Sequence, residues 1–399
     1  MHPSEAIRGI KSKKLEGKTI VLGITGSIAA VESVKLIREL IRHGADIVPV
    51  MSEEAQRIIH PNSIEFASGK KPIVELDGSV PYVDLCGMDG SASVLLIAPA
   101  TANTISKIAC GVADLPVATF ACSALGSGIP ILIAPSMHES MYNQKILREN
   151  MAKLAKLGIA FVGPKIEENK AKMADLDEIV SALVRTLSGS DMKGKKVIVI
   201  AGSTEEEIDD VRVITNRSSG RMGVELARDA YERGAGVELW FGRAETNPPS
   251  YIKVRRFNSA SDISRLIKNI RCDFCAVPAA ISDFRPKRIR GKVSSKKESL
   301  SIELTPTPKI VDLIRKKSKK IKIIGFKLES GLSNSQLKKK ALEKLKSSKL
   351  DLMVANDVKN IGRESGKIIL LNESGNSRSI SGTKATLAHQ IWSAVIHGI

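Results

Sequence analysis

Residues 199–223 (VIAGSTEEEIDDVRVITNRSSGRMG) hold the densest group of side chains suited to binding phosphate. A short apolar run ends at Gly202, an acidic turn follows, and Asn216 and Arg217 precede the Ser218-Ser219-Gly220 stretch where a helix is predicted to begin. Small residues let a backbone approach a polyphosphate closely, while the amide and guanidinium groups supply directed donors. The first N–H groups of a helix also lack partners within the helix. The stretch therefore predicts a site for a phosphorylated ligand.

An independent opening of the same kind lies earlier, at residues 23–30 (GITGSIAA). Gly26 permits a tight turn, and Ser27 stands at a helix N-cap, where its hydroxyl and the following N–H groups are suited to a single phosphate. The third glycine of the dinucleotide fingerprint is missing, which argues against NAD. Taken alone, the opening is better explained as an ordinary strand-to-helix turn with Ser27 as its cap.

Two further polar strand ends favour a second ligand site. Residues 98–104 read APATANT, and residues 134–142 read APSMHESMY. The carboxyl ends of strands in an open parallel sheet form its ligand crevice. These segments and residues 23–30 are therefore expected on one rim.

The elements that must position these residues alternate strand and helix along the whole chain. Near-continuous apolar strands are predicted at 19–22, 46–51, 94–98 and 131–134, with a helix over 27–42, which indicates a parallel sheet covered on both faces. The small and polar residues 188–194 fit a linker. A second α/β unit follows, with strands predicted at 197–201, 237–241, 273–277, 321–325 and 352–355 and an arm at 299–304.

Composition narrows the class of protein. The 399 residues suffice for two or three domains, no apolar run approaches the roughly 20 residues of a membrane span, and the N-terminus is no secretory signal. Five scattered cysteines do not form a disulfide framework, so a cytoplasmic location is expected. The net charge of +18 leaves open nucleic-acid binding, a phosphate-rich small substrate or a solvated lysine surface. Aromatic content of 4% argues against stacking on single strands, and we expect neither a nucleic acid nor a membrane partner.

The motifs together resemble a known family. GITGSIAA, IAPATANT and APSMHESMY resemble the flavin-dependent cysteine decarboxylases, while residues 201–223 with AAISDFRP and VANDV resemble phosphopantothenate–cysteine ligase. In this order they resemble the bifunctional coenzyme A biosynthesis flavoproteins, in an archaeal-type variant. The resemblance implies an N-terminal extension at 1–17, a flavodoxin-like, Rossmann-like flavin domain at 18–187, a linker at 188–194 and a second Rossmann-like ligase domain at 195–399.

For the first domain the resemblance implies bound FMN and decarboxylation of a cysteinyl group. His138 and Tyr142 stand where the family motif has Asn and Trp, its usual His is absent with Tyr82 the nearest polar substitute, and its proton-donating Cys is replaced in the stretch KIEENKAKMA. His138 and Lys172 are therefore the predicted catalytic residues, with Lys170 as an alternative to Lys172. The residues implied to hold FMN are Gly26, Ser27, Ser52, Pro99, Thr101 and Asn103.

For the second domain the resemblance implies activation of a carboxylate by CTP. Asn216 would hold the acyl-cytidylate and Lys292 would face the phosphates, with Mg²⁺ offsetting the repulsion between two anions. No metal ligand is assigned. The residues implied to contact CTP are Asp283, Lys292, Pro308, Lys309, Ile310, Val311, Phe326, Lys344 and Lys349.

The expected function is conversion of 4′-phosphopantothenate, L-cysteine and CTP into 4′-phosphopantetheine, in two reactions of coenzyme A biosynthesis. The alternative keeps the ligase and makes the first domain an inactive module for flavin binding or assembly. A basic nucleic-acid-binding protein is a further alternative, and a simple NAD(P) oxidoreductase is disfavoured by the missing glycine. The resemblance also implies a homo-oligomer, trimer-based and up to a dodecamer.

Overall fold

A parallel sheet of five strands, in the order β2-β1-β3-β4-β6, forms the centre of the first unit, Met1–Ser188. This is the flavodoxin-like order, which confirms the predicted fold class. The strands are β1 Thr19–Ile24, β2 Asp46–Met51, β3 Val94–Ala100, β4 Ile131–Pro135, β5 Met137–His138, β6 Ala160–Phe161, β7 Lys165–Glu167 and β8 Lys170–Lys172. The helices are α1 Ser33–Arg42, α2 Glu53–Gln56, α3 Pro61–Ser68, α4 Pro81–Cys86, α5 Ala102–Cys110, α6 Pro116–Ser127, α7 Glu139–Asn143, α8 Lys145–Lys156 and α9 Leu176–Leu187.

Burial on both faces explains why the central strands do not alternate between apolar and polar residues. Every residue of β3 and β4 is buried, because helices cover both faces of the sheet. The segment before β1 also joins this core, since Leu15 is fully buried in it. The helix predicted over 27–42 divides into a 3₁₀ helix at Ile28–Glu32 and α1. Over a single turn the apolar pattern does not distinguish the two helix types.

A small antiparallel sheet, in the order β5-β8-β7, stands apart from the central sheet of the first unit. Strands β7 and β8 form a hairpin whose two turn residues, Glu168 and Asn169, both have positive φ (52° and 56°). Two such residues define the turn type that matches the twist of a hairpin. The N–H of Glu139 donates to the carbonyl oxygen of Asn169 at 3.2 Å, which fastens the turn to the start of α7.

The second unit, Gly189–Ile399, contains an eight-stranded sheet in the order β13-β12-β9-β14-β17-β18-β19-β20. Its strands and those of two hairpins are β9 Lys196–Ala201, β10 Glu205–Glu207, β11 Val213–Thr215, β12 Gly236–Phe241, β13 Lys253–Arg256, β14 Phe274–Val277, β15 Phe284–Pro286, β16 Leu304–Pro306, β17 Lys322–Glu329, β18 Leu352–Asp357, β19 Ser365–Asn372 and β20 Ser377–Thr383. The helices are α10 Arg221–Glu232, α11 Ala260–Ile267, α12 Ile310–Lys317, α13 Asn334–Ser347 and α14 Lys384–His397.

The sheet of the second unit is parallel from β13 to β18 and antiparallel at β19 and β20. The sequence did not predict that last hairpin. The structure describes residues 2–189, 191–293, 300–357 and 365–399. Ser299 of the predicted arm at 299–304 and Val358 of VANDV lie outside these ranges, and β16 pairs antiparallel with β15.

The domain bounds 18–187 and 195–399 stay predictions. The segment between them, predicted to be a linker, makes contacts with the second unit. Met192 is fully buried in its core, and the guanidinium of Arg233 donates to the Asp191 carboxylate at 2.6 Å. Across the described ranges, no helix is both long enough and apolar enough to cross a membrane.

Close packing of α10 on β9 brings together the two ends of residues 199–223, the stretch predicted to bind phosphate. A Cβ built on Gly223, in the first turn of α10, would lie 2.1 Å from the Cβ of Ala201. Ala201 cannot rotate out of the way, so the contact requires a glycine. The helix N-terminus is thereby held directly against the end of β9.

We expect Gly223→Ala to lower the free energy of unfolding of the second unit by about 1–3 kcal/mol, because the added methyl group overpacks this contact. Gly126→Ala is the control, since nothing lies within 4 Å of a Cβ at Gly126, near the end of α6. That change should stabilise the first unit by about 0.4–1 kcal/mol. Calorimetric unfolding measures both effects, and equal midpoints for wild type and Gly223→Ala would contradict the packing argument.

Candidate active sites

A cavity of about 910 Å³ lies at the carboxyl ends of β1, β2 and β3 in the first unit. Its volume is within the range of small-molecule and cofactor sites. The predicted site residues that line it are Gly26, Ser27, Ser52, Thr101, Asn103, His138 and Lys172. Residues from several separate sequence motifs therefore line one cavity, as the sequence predicted.

Hydroxyl groups hold the strand ends of this cavity together. Thr25 Oγ1 donates to the carbonyl oxygen of Pro99 at 2.8 Å and accepts from the N–H of Thr101 at 3.0 Å. Ser27 Oγ donates to Ser136 Oγ at 3.0 Å. Pro99 itself is not among the lining residues, and it contributes to the rim through its carbonyl group. Ser136 lies within the APSMHESMY motif but was not singled out by the sequence.

Gly26 is required where the chain leaves β1. A Cβ at this position would lie 2.3 Å from the Cβ of Glu54 in α2. Ser52 is the N-cap of α2, and its Oγ accepts from the N–H of Ala55 at 3.2 Å. The two predicted FMN residues Gly26 and Ser52 therefore belong to one close contact between neighbouring strand ends.

Strand β8 of the β7–β8 hairpin forms another wall of the cavity and pairs with β5, the strand that carries His138. In the register, His138 lies opposite Lys170 and Met137 lies opposite Ala171, and all four line the cavity. Directly opposed residues of an antiparallel pair project to the same face. The two residues of each pair are more than thirty positions apart in the sequence, and strand pairing brings them together.

The two lysines of β8 differ in their surroundings. The Lys172 ammonium lies 2.8 Å from Glu168 and 3.5 Å from Glu167, and the hydrogen bond to Glu168 raises the pKa of Lys172. Lys170 lies opposite Glu167 in the backbone register, and its ammonium is in none of the ion pairs found among the described residues. A raised pKa and two carboxylate partners make the Lys172 ammonium a poor proton donor.

In the second unit, backbone and hydroxyl groups connect the ends of β9 and β14. The N–H of Ala280 donates to the carbonyl oxygen of Gly202 at 2.8 Å, and the N–H of Ser282 donates to Thr204 Oγ1 at 3.0 Å. Asn216 Nδ2 donates to the carbonyl oxygen of Ala280 at 3.3 Å. The NRSSG loop is therefore attached to the strand end that leads into AAISDFRP.

A cavity of about 180 Å³ lies beside this loop. Of the residues implied to contact CTP, Phe326 lines it. The sequence missed Lys384, at the first residue of α14; burial and the nearby charge of Arg221 lower the pKa of its ammonium. The other polar residues of the lining are Arg217, Ser218, Ser219, Lys327 and Asn356.

The remaining predicted nucleotide residues lie outside this lining. Lys309 is the N-cap of α12, and its ammonium lies 2.5 Å from the exposed Asp283 carboxylate, which brings residues 308–311 to the AAISDFRP strand end. Lys344 lies near the end of α13, and Lys349 follows that helix with a φ of 50°. Ser348, at the position of the family's further lysine, is buried. The structure therefore groups Asp283 with Lys309 and does not bring Lys344 or Lys349 to the cavity.

Lys292 is exposed and follows Gly291, while Val293 after it is buried. The side chain of Asp209, which is 0% exposed, accepts from the N–H groups of Val293 at 3.1 Å and Val211 at 2.8 Å. Its carboxylate also accepts from the N–H and the guanidinium of Arg212. These hydrogen bonds, with Val211 first, lower the pKa of Asp209 to about 2.

Two family models match the chain, one in each unit. Residues 8–188 match the model described as Flavoprotein, and residues 192–399 match the model described as DNA/pantothenate metabolism flavoprotein C-terminal domain. The two matches define a two-part flavoprotein of pantothenate metabolism.

Curated relatives match the whole chain. The coenzyme A biosynthesis bifunctional protein CoaBC of Thermococcus kodakarensis is 43% identical over 401 residues, covering 99% of both chains. The protein of the same name from Methanocaldococcus jannaschii is 37% identical over 398 residues, covering 98% of this chain and 96% of the relative. Among solved structures, the DNA/pantothenate metabolism flavoprotein from Streptococcus pneumoniae is 23% identical with a TM-score of 0.46, covering 51% of this chain and 98% of that chain.

The chain belongs to the CoaBC family of coenzyme A biosynthesis bifunctional proteins. It is therefore an enzyme that combines a decarboxylase activity and a ligase activity. This confirms the resemblance and the bifunctional interpretation, and it disfavours the alternative of an inactive first domain.

The lowered pKa of Asp209 predicts how the second unit responds to acid. Because the pKa in the fold is about 2, below the ordinary 3.8, the ionised carboxylate stabilises the fold fully above about pH 4, and this stabilisation is lost as the pH falls towards 2. Asp209→Asn should thus be less stable than wild type at neutral pH, with a difference that shrinks below about pH 4. Denaturant midpoints at several pH values measure it. A difference that stays constant between pH 7 and pH 2 would contradict the assignment.

Proposed function

We propose that the second unit joins 4′-phosphopantothenate to L-cysteine at the expense of CTP, and that the first unit decarboxylates the product to 4′-phosphopantetheine with FMN. In the ligation, the pantothenate carboxylate attacks the α-phosphate of CTP and displaces pyrophosphate. The cysteine amine then attacks the acyl carbon and displaces CMP. The relatives named above are bifunctional proteins of this pathway, which supports the proposal.

The observation that carries the ligase assignment is the attachment of Asn216 to the end of β14. Its amide donates to the carbonyl oxygen of Ala280, beside the cavity lined by Arg217 and Phe326. An amide at this point can exchange that backbone partner for the carbonyl oxygen of an acyl group. We assign Asn216 to holding the acyl-cytidylate while cysteine attacks.

Charge complementarity supports the nucleotide assignment. Lys309 and Asp283 form an exposed ion pair, and such pairs contribute little to stability. A triphosphate can therefore displace Asp283 from Lys309 at small cost. Mg²⁺ would be bound chiefly by phosphate oxygens, since Mg²⁺ sites commonly use only one or two protein carboxylates.

We expect Asn216→Ala to lower the rate of ligation on the order of 100-fold, because it removes a donor directed at the acyl group. Pyrophosphate release in the first turnover should persist, so that the acyl-cytidylate accumulates and CMP release becomes slow. Quenched-flow assays with radiolabelled CTP separate the two products. Asn376→Ala, which removes an exposed amide at the β19–β20 turn, is the control. Loss of pyrophosphate release in Asn216→Ala would assign the residue to activation instead.

The first cavity fits FMN by its size and by its set of donors. It offers the hydroxyls of Ser27, Ser52 and Thr101 and the amide of Asn103 to a phosphate and to polar ring atoms. Gly26 keeps the turn clear of a side chain that would fill the space beside Glu54. The chemistry that bound FMN supplies is reversible two-electron oxidation of the thiol-bearing carbon, which makes the neighbouring carboxylate easy to lose.

The protein must then hold the leaving carboxylate and deliver a proton to the carbon it leaves. His138 and Lys170 lie opposite each other on the cavity wall, and both side chains are able to donate hydrogen bonds. We assign the carboxylate to His138 and the proton to Lys170, in place of the Lys172 that the sequence favoured. The Lys172 ammonium forms ion pairs with Glu167 and Glu168, so its charge stabilises the β7–β8 hairpin.

His138→Ala and Lys170→Ala should each lower decarboxylation on the order of 100-fold, as expected for loss of acid–base or orienting groups. Lys172→Ala is the matched control on the same strand and should retain activity within a few fold. CO₂ release from synthetic 4′-phosphopantothenoylcysteine, measured with flavin content, distinguishes lost chemistry from lost cofactor. Greater loss in Lys172→Ala than in Lys170→Ala would reverse the assignment.

The trimer-based homo-oligomer, implied by the family resemblance, and the cytoplasmic location, expected from the scattered cysteines, remain proposals.

A further inference from the structure

The backbone on each side of Lys292 is fastened to one acidic turn. The N–H of Gly291 donates to Asp210 Oδ2 at 3.1 Å, and the N–H of Val293 donates to Asp209 Oδ2 at 3.1 Å. The Lys292 side chain between these two points is exposed. A flexible lysine is thus attached to a backbone segment whose position is fixed.

Asp209 makes the stronger of the two attachments. Its side chain is 0% exposed, and its carboxylate accepts from the N–H groups of Val211, Arg212 and Val293 and from the Arg212 guanidinium. The same guanidinium donates to the carbonyl oxygen of Val293 at 3.1 Å. Both backbone groups of Val293 are therefore engaged by the Asp209–Arg212 pair. The buried carboxylate is thus satisfied by three backbone N–H groups and one guanidinium, and its removal would leave these donors without their partner.

The turn that holds Lys292 is the tip of the β10–β11 hairpin, and the hairpin itself is anchored to the core. The buried carboxylate of Glu206 in β10 accepts from the N–H of Ala260 at 2.9 Å, and Thr215 Oγ1 in β11 donates to the carbonyl oxygen of Thr204 at 2.7 Å. The residue after β11 is Asn216. One anchored hairpin therefore carries Asn216 at its base and fastens the Lys292 segment at its tip.

We propose that Asp209 is a positioning residue of the ligase, which fixes the backbone of Lys292 so that its ammonium meets the phosphates of the nucleotide during carboxylate activation. This inference rests on the proposed role of Lys292 in that step. A displacement of about 1 Å of a group acting on a transition state can cost on the order of 100-fold in rate. Asp209 acts only through Lys292, so its effect should be confined to the step that Lys292 serves.

The test compares the two half-reactions in the full-length Asp209→Asn variant. Without cysteine, pyrophosphate release from CTP and 4′-phosphopantothenate reports activation, and we expect its rate to fall on the order of 100-fold. Cysteine added to the acyl-cytidylate formed on the enzyme reports the second step through CMP release, which should change only a few fold. Asp262→Asn is the matched control, because its carboxylate also accepts two backbone N–H groups, those of Asn258 and Ser259, at the start of α11.

A double-mutant cycle separates positioning from general loss of structure. If Asp209 acts through Lys292, adding Asp209→Asn to Lys292→Gln should slow activation little further, whereas Asp262→Asn should have the same small effect in both backgrounds. Multiplicative effects of Asp209→Asn and Lys292→Gln, or equal slowing of both half-reactions by Asp209→Asn alone, would overturn the inference while leaving the proposed function intact. Normal activation in Lys292→Gln would overturn both the proposed role of Lys292 and the inference that depends on it.

Discussion

In a parallel sheet the central strands end at one edge, and the N–H and C=O groups beyond the last ladder pair need partners from outside the ladder. Both units meet this need with threonine hydroxyls that connect neighbouring strand ends. Thr25 Oγ1 bonds Pro99 and Thr101 in the first unit, and Thr204 Oγ1 accepts from Ser282 in the second. The loops that leave these edges therefore start from fixed points. The geometry of both candidate sites depends on this arrangement.

The charged groups of the second unit divide into two kinds by exposure. Lys309 and Asp283 form a pair in which both side chains are about half exposed or more, so water screens their attraction and a ligand phosphate can compete for the lysine. Asp209 is fully buried, and removing its partners would leave a charge without solvation. The exposed pair is therefore suited to exchange partners during a reaction, whereas the buried group is suited to keep one arrangement throughout. A catalytic assignment made from residue type alone does not distinguish these two kinds of charged group.

The sequence predicted the elements whose pattern is unambiguous and missed those that depend on pairing. Fully apolar strands such as β3 and β9 were predicted within about two residues, because burial on both faces leaves no alternative pattern. The β19–β20 hairpin was missed because it is antiparallel and mostly exposed on β20, where few apolar residues mark it. Gly26, Ser27 and Asn103 followed from local motifs, whereas the proximity of Lys170 to His138 and of Asp209 to Lys292 arises from contacts between distant segments. Periodicity carries no information on such contacts.

The hairpin β7–β8 explains how the flavin half can retain chemistry although its motif residues differ. Side chains alternate between the faces of a strand, so a slip of one residue would turn Lys170 away from His138 and place another residue opposite it. The two positive-φ residues Glu168 and Asn169 set the turn and thereby the register between β7 and β8. Lys172 then pairs with the acidic residues near that turn and stabilises the hairpin that presents Lys170. The register of β8 against the His138 segment therefore determines which side chain lies opposite His138, and with it which residue is available for the proposed proton transfer.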